Sequence, residues 1–323
     1  MKIKRCLYCY KELSESDIDY HPKCSKSFYG KLSPPKLEFT DDDIIKMAEQ
    51  VLKNQQTVTG VQPKLSLKLE EDNTDSHSDR ITIVGGLVGN YILKPQSSVY
   101  KNLPELEDLT MHLARISKIK TVDHSLIRLQ SGKLAYITKR IDRKEEEKLH
   151  MEDMCQLTER LTENKYSGSH EQIGKVILKH TANPLFDIIN FYELVIFSFI
   201  TGNSDMHLKN FSLLKDENLN YNLCPAYDLV ATKLLLETDK EELALTLNGK
   251  KRKLKRRDFE SAMKTSKLET KQIENLFKKF KKIIPKWDKF IDISFIPNDL
   301  KEKYKEIIIN NCNQIDINIA FSK

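Results

Sequence analysis

Residues 202–210 read Gly-Asn-Ser-Asp-Met-His-Leu-Lys-Asn, and a further aspartate, Asp228, follows eighteen positions after Asn210. An Asp, an Asn five residues later and a second Asp are the polar groups that phosphoryl transfer from a nucleotide requires. In this chain they are Asp205, Asn210 and Asp228. The first carboxylate would orient the proton of the attacking hydroxyl, and the other two side chains offer hard oxygens to Mg²⁺. The ordinary alternative is a capped turn, because these residue types dominate turns.

Apolar residues on both sides of this loop indicate that it leaves a buried element. The run 195–200 is apolar apart from one serine, and 211–214 has the pattern of a short strand. Loops held by rigid elements commonly carry chemistry, so we expect Asp205 to lie at the site of reaction. His207 lies in the same loop. We assign it a structural or phosphate-orienting role, because Asp205 already has the position of the base.

A lysine at the end of a short β-prone run is a candidate for phosphate binding. Lys94 closes the run 90–94, and Pro95 ends the strand. A strand lysine of this kind contacts the α- and β-phosphates of a nucleotide. A helix predicted over about 104–117 carries Glu107, the candidate ion-pair partner of Lys94. The ordinary alternatives are a solvated lysine on a strand and a solvated glutamate on a helix.

The segment 57–64 reads Thr-Val-Thr-Gly-Val-Gln-Pro-Lys, and its backbone N–H groups could wrap a phosphate. The residues that would do so are Gly60, Val61 and Gln62. The segment lacks the G-x-G-x-x-G pattern of a glycine-rich nucleotide loop.

Six segments, in this order, resemble the HipA-family toxin kinases, and the ordered set is far more specific than any single segment. The resemblance extends over roughly residues 40 to 310. HipA itself begins with a small extra β-rich subdomain, for which this chain has no room. The chain therefore looks like the short, HipT-like form, in which that piece is a separate protein. The six segments are Thr-Gly-Val-Gln-Pro-Lys (59–64), Tyr-Ile-Leu-Lys-Pro (91–95), Thr-Lys-Arg-Ile-Asp-Arg (138–143), Glu-Asp-Met-Cys-Gln (152–156), 202–210 and Pro-Ala-Tyr-Asp (225–228).

The resemblance implies an α+β, two-lobed protein-kinase-like (HipA-like) fold, with a small mixed β-rich N-lobe and a larger, mostly helical C-lobe. Composition is compatible with this fold, because 323 residues of which 39% are hydrophobic can bury a large core divided between two lobes. We expect an N-terminal Cys/His segment at 1–34, the N-lobe at 35–141 and the C-lobe at 142–323.

Roles follow from the resemblance position by position. Asp205 falls on the catalytic aspartate, and Lys94 falls on the phosphate-binding lysine. Asn210 and Asp228 fall on the magnesium ligands.

The hinge and the phosphorylatable loop of the family also have counterparts here. Lys139 and Ile141 fall on the hinge whose backbone contacts adenine, and with His207 they complete the predicted ATP-binding residues. The first hinge residue is often acidic in relatives, so side-chain contacts at the hinge are in doubt but backbone contacts are not. Thr57 and Thr59 fall on the family's phosphorylatable loop, where serine is usual. Threonine keeps the hydroxyl that autophosphorylation requires.

The function that the resemblance implies is that of a serine/threonine protein kinase toxin of a type II toxin–antitoxin system. Such a kinase uses ATP and Mg²⁺, phosphorylates an aminoacyl-tRNA synthetase and arrests growth, as in persistence. The implied partners are a HipB-like DNA-binding antitoxin and a HipS-like small protein, with DNA contacted only through the antitoxin. Two alternatives stay open: a catalytically silent kinase-fold regulator or antitoxin-binding module, and a small-molecule kinase.

The first 30 residues contain two pairs of soft metal ligands. Cys6 and Cys9 are separated by two residues, as are His21 and Cys24, and eleven residues lie between the pairs. Each pair can bind a tetrahedral Zn²⁺ ion from a tight turn. One ion held by both pairs would stabilise a segment too small to fold alone. The ordinary alternative is a set of reduced thiols beside a surface histidine.

The remaining sequence features bear on location and charge. No apolar run is expected to reach the roughly 18 residues of a membrane span, and the first residues lack the apolar core of a signal peptide. We therefore expect a cytoplasmic protein without membrane association. The net charge of +6 is modest, but 250–257 holds seven basic residues in eight. This run fits a phosphate-binding patch or, as we favour, a solvated loop and helix start.

Overall fold

The computed structural model describes residues 4–37, 39–40, 43–44, 46–47, 64–70, 80–83, 89–144, 147–236 and 238–321. The chain divides into two compact units. Unit 1 comprises Met1–Asp108 and Val122–Glu147, and unit 2 comprises Leu109–Thr121 and Lys148–Lys323. This division differs in kind from the sequence-based segments, because unit 1 includes the N-terminal Cys/His segment and unit 2 takes 109–121.

A six-stranded sheet forms the centre of unit 1. Its strands are β1 (Lys36–Leu37), β2 (Leu65–Glu70), β3 (Arg80–Ile83), β4 (Tyr91–Lys94), β5 (His124–Arg128) and β6 (Leu134–Lys139). They are hydrogen-bonded in the order β1-β3-β2-β4-β6-β5. The short β1 runs parallel to β3, and all the other neighbours are antiparallel. Two shorter strands, β7 (Arg143–Lys144) and β8 (Glu147–Lys148), come next in the chain.

The β5–β6 hairpin is the clearest local feature of this sheet, and it turns through Gly132. Gly132 adopts φ +86°, a left-handed conformation that glycine takes without steric cost. The register places Lys94 of β4 opposite Tyr136 of β6. Unit 1 also contains the helix α1 (Pro22–Tyr29) and the start of α2 (Leu103–Ile116), within which the division between the units falls.

Unit 2 is mostly helical, with one small sheet. The sheet has the order β11-β10-β9, from β9 (Met151–Asp153), β10 (Ser212–Lys215) and β11 (Tyr221–Leu223). Its helices are α3 (Met154–Leu157), α4 (His170–His180), α5 (Pro184–Thr201), α6 (Arg256–Thr265), α7 (Thr270–Ile283), α8 (Trp287–Asp292) and α9 (Asn298–Gln314). The expected α+β class is confirmed.

Helix α5 is the core of unit 2. It is long and apolar enough to cross a membrane by length and composition, but 72% of it is buried inside the protein, as in the core helix of a folded domain. Its aromatic residues pack edge-on against neighbouring helices. Phe197 lies 5.6 Å from Trp287, and Phe199 lies 5.2 Å from Phe259, measured between ring centroids.

The carboxyl end of α5 delivers the chain into the loop 202–210. Gly202 ends the helix at φ +68° and donates its N–H back to the carbonyl of Phe199. Asn311 of α9 donates from its side-chain amide to the same carbonyl at 2.8 Å. An added Cβ at Gly202 would lie 3.0 Å from Ile307 and 3.1 Å from Lys233. A glycine at this position therefore satisfies both the backbone and the available space.

Candidate active site

Three hydrogen bonds hold the backbone of Asp205. Its N–H donates to Oδ1 of Asn203 at 3.2 Å, and its carbonyl accepts from the N–H of His207 at 2.8 Å. The same carbonyl accepts from Nδ2 of Asn210 at 3.1 Å. Because the amide nitrogen of Asn210 donates to the loop, its carbonyl oxygen is the atom left to face a cation. The loop thus fixes Asn210 relative to the carboxylate of Asp205.

Tyr166 contacts the side chain of Asp205 directly. Its hydroxyl donates to Oδ1 of Asp205 at 2.6 Å, and its ring lies edge-on to His207 at 5.1 Å. Burial and the hydrogen bond to Asp205 raise the pKa of Tyr166, so the residue remains a donor at physiological pH. Tyr166 carries no signal in the sequence, because no motif spacing connects it with the loop.

His207 reports on both predicted carboxylates. Burial lowers the pKa of His207, and the negative charges of Asp205 and Asp228 oppose that effect without overcoming it. The ring is therefore neutral at pH 7. Both carboxylates therefore influence the charge state of this one imidazole. Asp228 itself has φ +60°, a left-handed conformation that Asp and Asn tolerate better than most residues.

Tyr227 links the segment of Asn210 with that of Asp228. Its hydroxyl donates to the carbonyl of Lys209 at 3.0 Å and lies 2.6 Å from the hydroxyl of Ser212. Lys209 also forms an ion pair of 2.6 Å with Asp153, the residue that caps the amino terminus of α3. These contacts hold the residues before Asn210 and before Asp228 in a defined relation.

A second set of hydrogen bonds supports the start of the loop. The N–H of Ser204 donates to Oγ1 of Thr232 at 2.8 Å, and the hydroxyl of Ser204 donates to Oδ2 of Asp239 at 2.8 Å. The carbonyl of Gly202 accepts from the N–H of Lys233 at 3.0 Å. Ser204 is therefore a structural residue of the loop.

In unit 1 the structure brings Lys94 and Glu107 together. Nζ of Lys94 lies 2.6 Å from Oε1 of Glu107, and the two side chains are 5% and 0% exposed. The ammonium group also lies 5.5 Å from the ring centroid of Tyr136, within the range of a cation–π contact. A buried charge of this kind is held by its partners rather than by water.

The predicted hinge forms the end of β6. The N–H of Lys139 donates to the carbonyl of Asp123, and the N–H of Arg140 donates to the carbonyl of Asn90, both at 2.8 Å. The protein itself thus uses these two donors. Gly60, Val61, Gln62, Thr57 and Thr59 lie outside the described residues.

The N-terminal Cys/His residues also come together. We call them the Cys/His cluster; each offers one ligand atom, and these atoms all lie within 4.8 Å of one another. The cluster consists of Cys6, Cys9, His21 and Cys24.

Acidic neighbours engage several members of the basic run 250–257. Lys250 pairs with Asp258 at 2.7 Å, and Lys251 pairs with Glu241 at 3.3 Å. Burial raises the pKa of Asp258, but hydrogen bonds from Lys250 and Asn248 outweigh this and hold it below its usual value. Part of the run is therefore ion-paired, and its last two residues, from Arg256, begin helix α6.

The donor set of the loop fits a hard divalent cation. Carboxylate and amide oxygens are the ligands that Mg²⁺ prefers, and Asp205, Asn210 and Asp228 carry oxygens of these two kinds. The residues present therefore fit a magnesium-bound nucleotide.

Comparison with known proteins gives the chain a family. A family model described as the HipA-like C-terminal domain matches residues 56–287. The chain is 30% identical over 209 residues to a Haemophilus influenzae protein named "Putative kinase", covering 61% of this chain and 58% of that protein. It is 33% identical over 189 residues to "Putative kinase Y4dM" of Sinorhizobium fredii, covering 54% and 45%. The chain thus spans about half the length of the curated relatives it matches.

Two solved structures share the fold. HipA of Shewanella oneidensis MR-1, solved with HipB and operator DNA, superposes with a TM-score of 0.67 at 20% identity, covering 83% of this chain and 70% of HipA. CtkA, a proinflammatory kinase of Helicobacter pylori, gives a TM-score of 0.53 at 15% identity, covering 78% and 94%. The expected kinase-like, HipA-like fold is confirmed. Together with the family match over most of its length, this establishes that the chain belongs to the HipA-like C-terminal domain family.

Proposed function

We propose that this protein is an ATP-dependent serine/threonine protein kinase. The observation that carries the proposal is the hydrogen bond from Nδ2 of Asn210 to the carbonyl of Asp205. It holds the side chain of Asn210 against the backbone of Asp205, which supports a loop that offers an amide oxygen to Mg²⁺ near a proton-accepting carboxylate, as phosphoryl transfer requires. The named kinases among the relatives support the same activity.

The residues of the loop divide the chemistry among them. Asp205 orients the acceptor hydroxyl and takes its proton as the hydroxyl oxygen bonds to the γ-phosphorus and ADP departs. Tyr166 holds one oxygen of that carboxylate through its 2.6 Å hydrogen bond. Mg²⁺, when bound, neutralises the charge on the phosphates. Asn210 and Asp228 supply its protein ligands, and neutral His207 holds the loop without competing for the proton.

The proposed nucleotide contacts also include residues outside the loop 202–210. Lys94, oriented by Glu107, binds the α- and β-phosphates. The adenine contacts fall to the carbonyl of Lys139 and the N–H of Ile141, because the N–H groups of Lys139 and Arg140 already bond within the protein. Gly60, Val61 and Gln62 would cover the phosphates.

We assign this kinase to a toxin–antitoxin system of the cytoplasm. The support is the similarity to HipA, which was solved in a complex with HipB and operator DNA. The proposed partners are a HipB-like antitoxin, through which DNA is contacted, and a HipS-like small protein. The proposed substrate is an aminoacyl-tRNA synthetase, whose phosphorylation would arrest growth.

Labelling with γ-labelled ATP tests the activity. The purified chain, Mg²⁺ and purified aminoacyl-tRNA synthetases are incubated together, and phosphorylated peptides are identified by mass spectrometry. We expect transfer to a serine or threonine, and its loss in Asp205→Asn with Mg-ATP binding retained. The matched control is Asp299→Asn, an exposed aspartate in the first turn of α9.

The outcomes separate the alternatives. Transfer by Asp205→Asn at the wild-type rate would contradict the assignment of the loop. Mg-ATP binding without transfer to any protein, including the chain itself, would favour the silent regulator. Transfer to a metabolite in place of protein would favour the small-molecule kinase.

Autophosphorylation at Thr57 or Thr59 is proposed as an off switch. A phosphate there adds about −1.5 to −2 charge next to a nucleotide that is already negative, and repulsion should weaken ATP binding. Mass spectrometry of the wild type and Asp205→Asn, expressed side by side, should find phosphate only in the wild type. Absence of phosphate from both, with full activity of the Thr57→Ala/Thr59→Ala variant, would refute the switch.

A further inference from the structure

The four atoms of the Cys/His cluster have the spacing of a tetrahedral metal site. With a zinc–sulfur bond of about 2.3 Å and a zinc–nitrogen bond of about 2.1 Å, a tetrahedron has sulfur–nitrogen edges of about 3.6 Å. The structure places Nδ1 of His21 3.5 Å from Sγ of Cys9 and 3.7 Å from Sγ of Cys24. The remaining separations, which include Cys6, all stay within 4.8 Å. The cluster thus has the size of one ion's coordination sphere.

Two backbone turns bring these atoms together. The first turn is closed by hydrogen bonds from the N–H of Tyr10 to the carbonyl of Cys6 and from the N–H of Cys6 to the carbonyl of Lys11, both at 2.9 Å. The second turn is the start of α1, where the N–H of Cys24 donates to the carbonyl of His21 at 2.9 Å. Both turns are held by the backbone, so the ligand positions do not depend on side-chain rotamers alone.

The tautomer of His21 suits metal binding. Its Nε2 lies 2.9 Å from the carbonyl of Glu12, which can only accept a hydrogen bond. Nε2 therefore carries the proton, and the lone pair of Nδ1 faces the three thiols. A ligating histidine held by a backbone carbonyl through its other nitrogen is the usual outer contact of protein zinc sites.

We propose that the Cys/His cluster binds one structural Zn²⁺ ion. Three thiolates and one imidazole form a borderline-soft set that matches zinc better than magnesium or calcium. Four protein ligands close the tetrahedron, which is the pattern of structural and not of catalytic zinc. The site is independent of the proposed kinase chemistry.

The metal would hold a specific contact inside unit 1. Tyr10 directly follows the second ligand, Cys9, and its hydroxyl donates to Oδ2 of Asp108 at 2.7 Å. Oδ1 of Asp108 lies 2.6 Å from Nδ1 of His124, and all three side chains are buried. Asp108 follows Glu107, the ion-pair partner of Lys94. Zinc would thus stabilise the N-terminal segment, which contacts Asp108 next to this buried ion pair.

The segment joins the sheet on its β5 side as well. The N–H of Leu126 donates to the carbonyl of Leu7 at 3.2 Å, and the hydroxyl of Tyr20 donates to the carbonyl of Leu126. Loss of the metal should therefore loosen β5 together with the N-terminal segment.

Metal analysis of the full chain, purified without chelator, tests the site. We expect about one zinc per chain. Cys24→Ser should lose most of it, and the matched control Cys155→Ser, a buried cysteine outside the cluster, should retain it. Folded protein with less than about a tenth of a zinc per chain would overturn the proposal. Full zinc in Cys24→Ser, or equal loss in Cys155→Ser, would overturn it too.

Cobalt provides a test that needs no variant. Unfolded under reducing conditions and refolded with Co²⁺ in place of Zn²⁺, the wild-type chain should show the intense ligand-field bands of tetrahedral cobalt and thiolate-to-cobalt charge transfer. An octahedral cobalt spectrum would overturn the site. A disulfide between any two of the four ligands in protein purified without oxidant would also overturn it. None of these readouts involves phosphoryl transfer, so failure of the proposed kinase activity would leave the zinc result unaffected.

Discussion

The hydroxyl of Tyr166 donates a 2.6 Å hydrogen bond to Oδ1 of Asp205, across 39 positions of sequence. A carboxylate has two oxygens, so Tyr166 can restrain one while the other accepts a proton. The contact limits rotation of the Asp205 side chain, and Tyr166 remains protonated at physiological pH. Tyr166 is therefore a positioning residue for the proposed base.

Tyr166→Phe should lower kcat by at least about tenfold and leave the Kd for Mg-ATP unchanged. A hydrogen bond to a charged group is worth about 1.5–3 kcal/mol, and a loss of about 1.4 kcal/mol in the transition state is a factor of ten. Steady-state kinetics and nucleotide titration measure the two quantities. Tyr221→Phe is the control, because Tyr221 bonds to His150 on the surface of the same unit. An unchanged or higher kcat in Tyr166→Phe would show that the contact does not position the base.

Removal of one partner of the Lys94–Glu107 pair should be costly. Lys94→Met leaves the buried Glu107 without its cation, and such a loss costs about 3–5 kcal/mol of unfolding free energy. The double variant Lys94→Met/Glu107→Leu should recover more than half of it, since neither charge of the pair then remains buried. Denaturant unfolding measures both values. The control is Lys278→Met, which breaks an exposed pair with Glu274 and should cost less than about 0.5 kcal/mol.

A double variant no more stable than Lys94→Met would contradict this account of the buried pair. The comparison is informative because the two pairs differ in exposure. The side chains of Lys278 and Glu274 are 72% and 50% exposed, whereas those of Lys94 and Glu107 are 5% and 0% exposed.

Asp228→Asn should lower the affinity for Mg-ATP at least tenfold and leave the fold intact. Asparagine tolerates the left-handed backbone of Asp228, so the substitution removes a charge without adding strain. Asp316→Asn is matched in backbone, because Asp316 has φ +61° at the end of α9. Calorimetric titration with and without Mg²⁺ separates the metal effect from nucleotide binding. Equal Mg-ATP affinity in Asp228→Asn and the wild type would exclude Asp228 as a ligand.

His170 should make unit 2 less stable in acid. Burial lowers the pKa of His170 to about 3, whereas the ordinary value is about 6.5. Between these values the unfolded chain binds a proton that the folded chain does not, so stability present above pH 6.5 is lost as pH falls toward 3. The slope is about 1.4 kcal/mol per pH unit. We expect the difference in unfolding free energy between His170→Leu and the wild type to shift in favour of the variant by that slope as the pH falls through this range.

Ile177→Val is the control for this experiment, because Ile177 is buried on the same helix, α4, and carries no titrating group. Its difference from the wild type should stay constant with pH. A constant difference for His170→Leu as well would mean that the histidine binds its proton equally in both states.

Local signals made part of the fold and of the candidate site predictable. The loop 202–210 carries Asp205 and Asn210 only five residues apart. The turn of the β5–β6 hairpin is indicated by Ser131 and Gly132. The apolar composition of 195–200 indicated a buried element because an apolar helix has no face to offer to water.

Contacts between distant residues could not be predicted in the same way. Tyr166 reaches Asp205 across 39 positions, and Tyr10 reaches Asp108 across 98. Such pairs depend on how strands and helices are arranged, which periodicity does not encode. The two-residue strand β1 is too short to show any alternation, so its parallel pairing with β3 also had no signal in the sequence.

The start of the loop is tied to a neighbouring stretch of chain by three hydrogen bonds, from Ser204 to Thr232 and Asp239 and from Lys233 to Gly202. Because of these bonds, the start of the loop moves together with the segment that contains Thr232, and Asp205 is the residue that follows Ser204. A protein that binds near Thr232 and displaces this segment would also displace the proposed base, Asp205, from the acceptor hydroxyl. Such binding would inhibit the proposed kinase without displacing the nucleotide.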